Sequence, residues 1–160
     1  MTYEPQIGDY GCVQTNGLVG FLIQLGTVTK YNHAFIYIGG GKIIEATPRR
    51  GVIISPVTNY KNIAWNIHEP KTDDQRNALV NEALKYLGRK YSFLSFIIDG
   101  LEILHVKVPN RLKSRASKAD HVDCSGMVTR VYRTCGFTVE AMRPAFSIKP
   151  SDLIYRLLYI

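Results

Sequence analysis

The stretch His33-Ala-Phe-Ile-Tyr-Ile-Gly-Gly-Gly-Lys-Ile-Ile-Glu-Ala46 decides how this chain is read. Two β-prone runs, Ala34 to Ile38 and Lys42 to Ala46, flank three consecutive glycines. Glycine between two such runs signals a hairpin, because tight turns need the positive φ values that other residues resist. With the turn centred on Gly39, residues 33 and 45 have matching parity and are expected to face each other across antiparallel strands, with Cβ atoms about 5 Å apart. An imidazole would then sit against a carboxylate, which fixes its tautomer and orientation as a general base requires. The competing reading of His33 is a structural histidine at a strand start. His68, His105 and His121 have no comparable partner in the sequence pattern and read as incidental.

Outward from the hairpin, Ile7 to Val13 reads as a turn entering a short strand, and Leu18 to Leu25 as an apolar helix. Further strands are expected at Gly51 to Ile54 and Ile63 to Ile67. Thr72-Asp-Asp-Gln75 has capping-box form, and Leu79, Val80, Ala83, Leu84 and Leu87 follow at helical spacing until Gly88. Phe93 to Leu104 is dense enough in apolar residues for a buried helix. Asp123 reads as the N-cap of a helix from Cys124 to about Cys135, with Gly136 closing it and Met127, Val128, Val131 and Cys135 on its inner face. A last helix is expected from Pro150-Ser151 onward, carrying Leu153, Ile154, Leu157 and Leu158. Hairpin strands and separate helices together predict an α+β fold. With no repeat or linker in its 160 residues, residues 1–160 read as one domain.

A content of 46% hydrophobic and 21% charged residues is that of an ordinary globular protein. No apolar stretch reaches the ~20 residues of a membrane span, and no signal peptide is visible. The expectation is a soluble protein, with cytoplasmic and phage- or virion-associated locations both open. The net charge of +7 favours an anionic partner or surface. Five of the cations, Lys107, Arg111, Lys113, Arg115 and Lys118, fall in one stretch without hydrophobic periodicity, expected to be a basic loop. Residues 107 to 118 contain no aromatic side chain, which disfavours nucleic acid as the partner.

Three cysteines, Cys12, Cys124 and Cys135, without CxxC spacing indicate neither a disulfide framework nor a zinc ribbon. No metal and no cofactor is expected. The bland reading makes all three small buried hydrophobes. Cys124 differs in its expected position at the first turn of a helix, where backbone N–H groups and the positive end of the dipole favour thiolate over thiol. Ser125-Gly126 beside it leaves room for a substrate carbonyl. A thiolate needs an imidazole to handle its proton, and His33 with Glu45 offers one.

These residues resemble a family. Gly88-Arg-Lys-Tyr91 and Asp123-Cys-Ser-Gly126 are similar to the N-terminal half of the NlpC/P60 cysteine peptidases. Gly8-Asp9, His33-Ala-Phe-Ile-Tyr-Ile-Gly39 and Ile44-Glu-Ala46 are similar to the C-terminal half, and Ser151-Asp-Leu153 to the closing segment of permuted members. The halves occur in swapped order, as in the permuted group that includes the lecithin:retinol acyltransferase-like proteins. The resemblance implies a circularly permuted papain-like fold, with an antiparallel sheet packed against the helix that bears the nucleophile. It also implies roles: Cys124 as nucleophile, His33 as base and then acid, Glu45 as orienting residue, and Tyr91 as a hydroxyl near the thiolate or the oxyanion site. Two departures stand out. The interval from Tyr91 to Cys124 is longer than is usual in the family, and the third residue is a Glu where unpermuted members carry His, Asn or Asp.

The function expected from all this is a cysteine hydrolase acting on an amide through an acyl-enzyme intermediate, with a peptidoglycan stem peptide as substrate. One alternative keeps the site but makes the enzyme a lipid-directed acyltransferase or thioesterase, with Phe93 to Leu104 lining an apolar groove. Another, from a different class, is a non-catalytic binding module built on the basic loop.

Overall fold

A computed structural model describes residues 3–15, 31–66, 71–92, 98, 106–111, 114, 121–139 and 153. Five strands form an antiparallel sheet: β1 (Tyr10–Val13), β2 (His33–Gly39), β3 (Lys42–Thr47), β4 (Gly51–Pro56) and β5 (Ala64–Trp65), in the order β4-β3-β2-β1-β5. Among the described residues two helices have defined bounds, α1 (Asp73–Leu84) and α2 (Cys124–Thr134). Two short strands, β6 (Lys90–Tyr91) and β7 (His121–Val122), pair in parallel, with Tyr91 beside Val122. The fold class is therefore α+β, as expected. The expected helices at 18–25 and 93–104, much of the basic loop and the C-terminal helix lie outside the described residues, apart from isolated positions within them.

Strand alternation explains how both faces of the sheet are used. Ala34, Ile36, Ile44 and Ala46 point to one side, where they join Leu79 and Ala83 of α1 and Met127, Val128, Val131 and Tyr132 of α2 in the main core. Val13, Phe35 and Ile43 point to the other side, covered by Tyr37, Val57, Tyr60, Ile63 and Trp65. His33 and Glu45 have the parity of Phe35 and Ile43. His33 and Glu45 thus share a face with the smaller, aromatic-rich cluster.

The hairpin register differs from the expected one. Phe35, not His33, lies directly opposite Glu45, and the pairing continues with Ile36 opposite Ile44 and Tyr37 opposite Ile43. The cause is at the turn. Gly40 and Gly41 both adopt positive φ, 59° and 70°, as a two-residue hairpin loop demands, and an irregularity between Tyr37 and Gly39 absorbs one further residue. The turn centre thus moves past Gly39. A shift by two residues on one strand preserves parity, so His33 and Glu45 keep a common face and meet on the diagonal.

α1 forms as its signals predict: the Thr72 hydroxyl accepts from the Gln75 N–H while the Gln75 side chain accepts from the Thr72 N–H. Its buried stripe is narrower than the spacing suggests. Leu79 and Ala83 are buried, but Leu84 and Leu87 are exposed, because regular helix ends at Leu84 and the chain turns before Gly88. Tyr86 fills the core there instead. In α2, Met127, Val128 and Val131 are buried as expected, whereas Cys135 is the C-cap and only half-buried. Tyr132, the largest fully buried side chain among the described residues, donates its hydroxyl proton to the Gly8 carbonyl and so ties α2 to the segment before β1.

Two contacts hold the remaining pieces on this frame. Gly51, at φ 69°, lets the Arg89 carbonyl come so close that an added Cβ would lie 2.2 Å from it, and the Val52 N–H donates to that carbonyl at 2.9 Å. The Gly88 to Tyr91 segment is thereby fastened along β4. Asp9, 1% exposed, accepts from Arg76 Nη1 at 2.9 Å, from the Tyr3 hydroxyl and from the Gln6 N–H at 2.9 Å, with Lys71 Nζ 3.6 Å away. It fastens α1 to the start of the sheet.

A buried carboxylate with two cationic neighbours is costly to remove, because it leaves charge desolvated without its counterion. Asp9→Ala is expected to lower the unfolding free energy by about 3 kcal/mol, measured by urea denaturation. A loss within the noise of an exposed substitution would contradict this role.

Candidate active site

The site is built from three elements. β2 begins with His33, β3 carries Glu45 one diagonal step away, and α2 begins with Cys124. His33 Nε2 and Glu45 Oε2 are 2.7 Å apart, and both residues are buried, at 8% and 2% exposure. Cys124 lies close enough to the same imidazole to raise its pKa. Cys124, His33 and Glu45 are thus brought together from a helix terminus, a strand start and the neighbouring strand.

The helix terminus is capped by Asp123, whose side chain accepts from the Gly126 N–H at 2.5 Å. A Cβ on residue 126 would lie 2.7 Å from Asp123 Oδ1, so this glycine makes room for the cap. The space beside Gly126 thus holds the Asp123 carboxylate. Burial pushes the Asp123 carboxyl up to about 6, against the opposing effects of the Gly126 N–H, the Arg130 charge and the Ser125 hydroxyl.

Electrostatics within the chain are set by mutual stabilisation. Burial alone would lower the pKa of His33. Neighbouring Cys124 and the hydrogen-bonded Glu45 carboxylate outweigh it and raise the imidazole to about 9. Burial likewise pushes the Glu45 carboxyl up, but the His33 and Tyr60 hydrogen bonds and the imidazolium charge hold it below the usual glutamate value. At neutral pH the site thus contains an imidazolium held against a carboxylate, with Cys124 beside it.

Sequence reading missed Tyr60. Its hydroxyl donates to Glu45 Oε2 at 2.6 Å, and its ring lies 5.5 Å from that of His33. No periodicity marks this residue, because it sits just beyond the short 3₁₀ turn Val57–Asn59 and is brought to Glu45 only by tertiary folding. Ser55, on β4, lies beside the same carboxylate but makes no hydrogen bond of ordinary geometry among the described residues. Tyr91 is buried in the main core and pairs with Val122, two residues before Cys124. Next to Tyr60 opens a cleft of about 740 Å³, lined among the described residues by Gln14, Thr15, Tyr31, Asn59, Tyr60, Lys61 and Asn62. Of the expected basic loop, Lys107 and Arg111 are described and exposed; Lys113, Arg115 and Lys118 lie outside the described residues. Among the described residues no helix is long and apolar enough to cross a membrane.

The His33 value carries a sign. A histidine raised from 6.5 to about 9 contributes stability that is fully present below pH 6.5 and is lost as pH rises through about 9. The unfolding free energy is expected to fall between pH 7 and 9, and to fall less in Glu45→Gln, where one source of the shift is gone. Urea denaturation across this pH range checks it, and equal slopes in the two proteins would contradict it.

Comparison with known proteins adds a likeness in shape. The chain is similar to the crystal structure of metalloprotein yiiX from Escherichia coli O157:H7, DUF1105, with a TM-score of 0.64 and 20% sequence identity over 96% of this chain and 83% of that one. At this identity the likeness concerns the fold alone. No family model and no curated protein matches the sequence.

Proposed function

We propose that this chain is a cysteine hydrolase of permuted papain-like architecture that cleaves an amide through an acyl-enzyme intermediate. The observation that carries the reading is the His33–Glu45 pair at 2.7 Å with Cys124, the first residue of α2, acting on the same imidazole. A sulfur paired with a raised, carboxylate-held imidazole is the arrangement thiol hydrolysis needs. The order in the chain, with the histidine strand before the cysteine helix, is the order in which the NlpC/P60-like halves occur in the sequence.

In this mechanism the Cys124 thiolate attacks the substrate carbonyl carbon, and the positive end of α2 stabilises the oxyanion that forms. The C–N bond then breaks as the His33 imidazolium gives its proton to the departing amine, leaving a thioester on Cys124. Neutral His33 next takes a proton from water as that water attacks the thioester. The C–S bond breaks, a carboxylic acid leaves, and the thiolate–imidazolium pair is restored. Glu45 holds the ring in one orientation throughout and balances its charge.

The cleft beside Tyr60 supports an amide-bearing, peptide-like substrate over an acyl chain. Its lining of amides, hydroxyls and one ammonium suits hydrogen-bonding groups and would leave a lipid tail facing unsatisfied polar atoms. Peptidoglycan stem peptides fit this chemistry, and the net charge of +7 suits an anionic wall. The yiiX protein is described as a metalloprotein. In this chain no three His, Cys, Asp or Glu side chains among the described residues are arranged to hold a metal ion, and no step of the proposed reaction runs through one.

Exposure and activation make opposite predictions for the three cysteines. Cys135 is the most exposed, Cys124 is buried at 4%, and Cys12 is fully buried. Burial pushes the thiols of Cys12 and Cys135 up. Activated chemistry predicts that iodoacetamide labels Cys124 fastest near neutral pH, as read by peptide mass spectrometry, whereas exposure alone predicts Cys135. In parallel, Cys124→Ala is expected to release fragments from purified peptidoglycan at least roughly 10³-fold more slowly than the wild type. Unchanged product in that variant would remove Cys124 from the mechanism and favour a binding module.

A further inference from the structure

The three residues above account for proton handling but not for what holds Glu45 in place. A glutamate has rotatable bonds of its own, and a carboxylate free to swing would not orient an imidazole. Glu45 Oε2 is the oxygen that His33 contacts at 2.7 Å, and the same oxygen accepts the Tyr60 hydroxyl proton at 2.6 Å. Two donors on one oxygen leave the carboxylate little freedom.

Tyr60 itself is rigidly placed. Its N–H donates to the Val57 carbonyl at 3.1 Å, closing the 3₁₀ turn, and the Val57 N–H donates to the Gly41 carbonyl at 2.8 Å. The turn is thus pinned to the β2–β3 hairpin that carries both His33 and Glu45. The Tyr60 ring stacks on Phe35, 5.3 Å between centroids and 16° from parallel, and is tilted against His33 at 5.5 Å. Phe35 is the residue directly opposite Glu45 in the sheet. Its ring therefore supports the phenol from below while the hydroxyl reaches the carboxylate. Tyr60 also lines the polar cleft.

We propose that Tyr60 is a positioning residue that locks Glu45 onto His33 Nε2 and thereby holds the imidazole toward Cys124. This rests on the reading of Cys124, His33 and Glu45 as the reacting group. Tyr60 does not exchange a proton with substrate; it acts through Glu45. Loss of its hydroxyl lets the carboxylate rotate, weakens its hold on the imidazolium and misaligns the ring relative to the sulfur.

The test is Tyr60→Phe, which keeps the stacking ring and deletes the hydroxyl, with Ser55→Ala as comparator for a hydroxyl near the same carboxylate. Two readouts are needed: the His33 ring resonances followed by NMR from pH 5 to 10, and the rate of Cys124 alkylation by iodoacetamide. In Tyr60→Phe the His33 midpoint is expected to fall from about 9 by roughly one unit and alkylation near pH 7 to slow about tenfold. Ser55→Ala should leave both at the wild-type level. A His33 midpoint unchanged or raised in Tyr60→Phe overturns the proposal, as does an equal shift in Ser55→Ala. A purely structural role would lower the melting temperature without moving the midpoint, and that too overturns it. The underlying reading fails separately: wild-type Cys124 reacting no faster than Cys135 would sink the hydrolase, while the His33 titration would still report whether Tyr60 holds Glu45.

Discussion

A carboxylate buried in the middle of a β-sheet is a demand on everything around it. Glu45 is 2% exposed, and at that depth an ionised group survives only if donors replace the water it has lost. His33 and Tyr60 are those donors, and each arrives from a different part of the chain. The hairpin glycines set the register that puts His33 on the diagonal from Glu45, and the turn after β4 brings Tyr60 over the same face. If the carboxylate were replaced by an apolar group, nothing in the sheet would require a charged imidazole at the start of β2. The polar site is thus a consequence of one buried charge and the geometry needed to satisfy it.

The sulfur joins this arrangement through packing on the opposite face. α2 lies against Ala34, Ile36 and Ile44 by way of Met127, Val128 and Val131, and Tyr132 fastens it to Gly8. Burial of that apolar face fixes where the helix starts. The Asp123 cap then fixes how it starts, with Gly126 small enough to admit the carboxylate. Cys124 becomes the first helical residue, close enough to His33 at the start of β2 to raise its pKa. Hydrophobic packing supplies the position of Cys124, and the buried His33–Glu45 pair sets the charge beside it.

Much of this was legible in the sequence because it depends on local signals. Thr72 to Gln75 and Asp123 announce helix starts through side-chain capping, and the strand alternation around three glycines announces the hairpin. The facing of His33 and Glu45 was legible only as parity. Its register turned on which glycines occupy the two positive-φ positions, a choice that composition does not reveal. Tyr60 was invisible because its role is purely tertiary, being neither periodic nor part of a motif. Gly8-Asp9 matched a family pattern in the sequence, yet Asp9 works in the structure as an anchor for α1 through Arg76. A motif match marks where a residue sits, and its hydrogen bonds decide what it does there.

The central claim is that Cys124 becomes covalently acylated with His33 as its proton partner, and it is tested most directly by trapping that adduct. Brief incubation with an activated ester such as 4-nitrophenyl acetate, followed by acid quench and peptide mass spectrometry, would locate the acyl group. The account predicts rapid acetylation confined to Cys124 in the wild type and its loss in His33→Ala. Acetyl groups spread over Cys135 and lysines, at the same rate in both proteins, would contradict it.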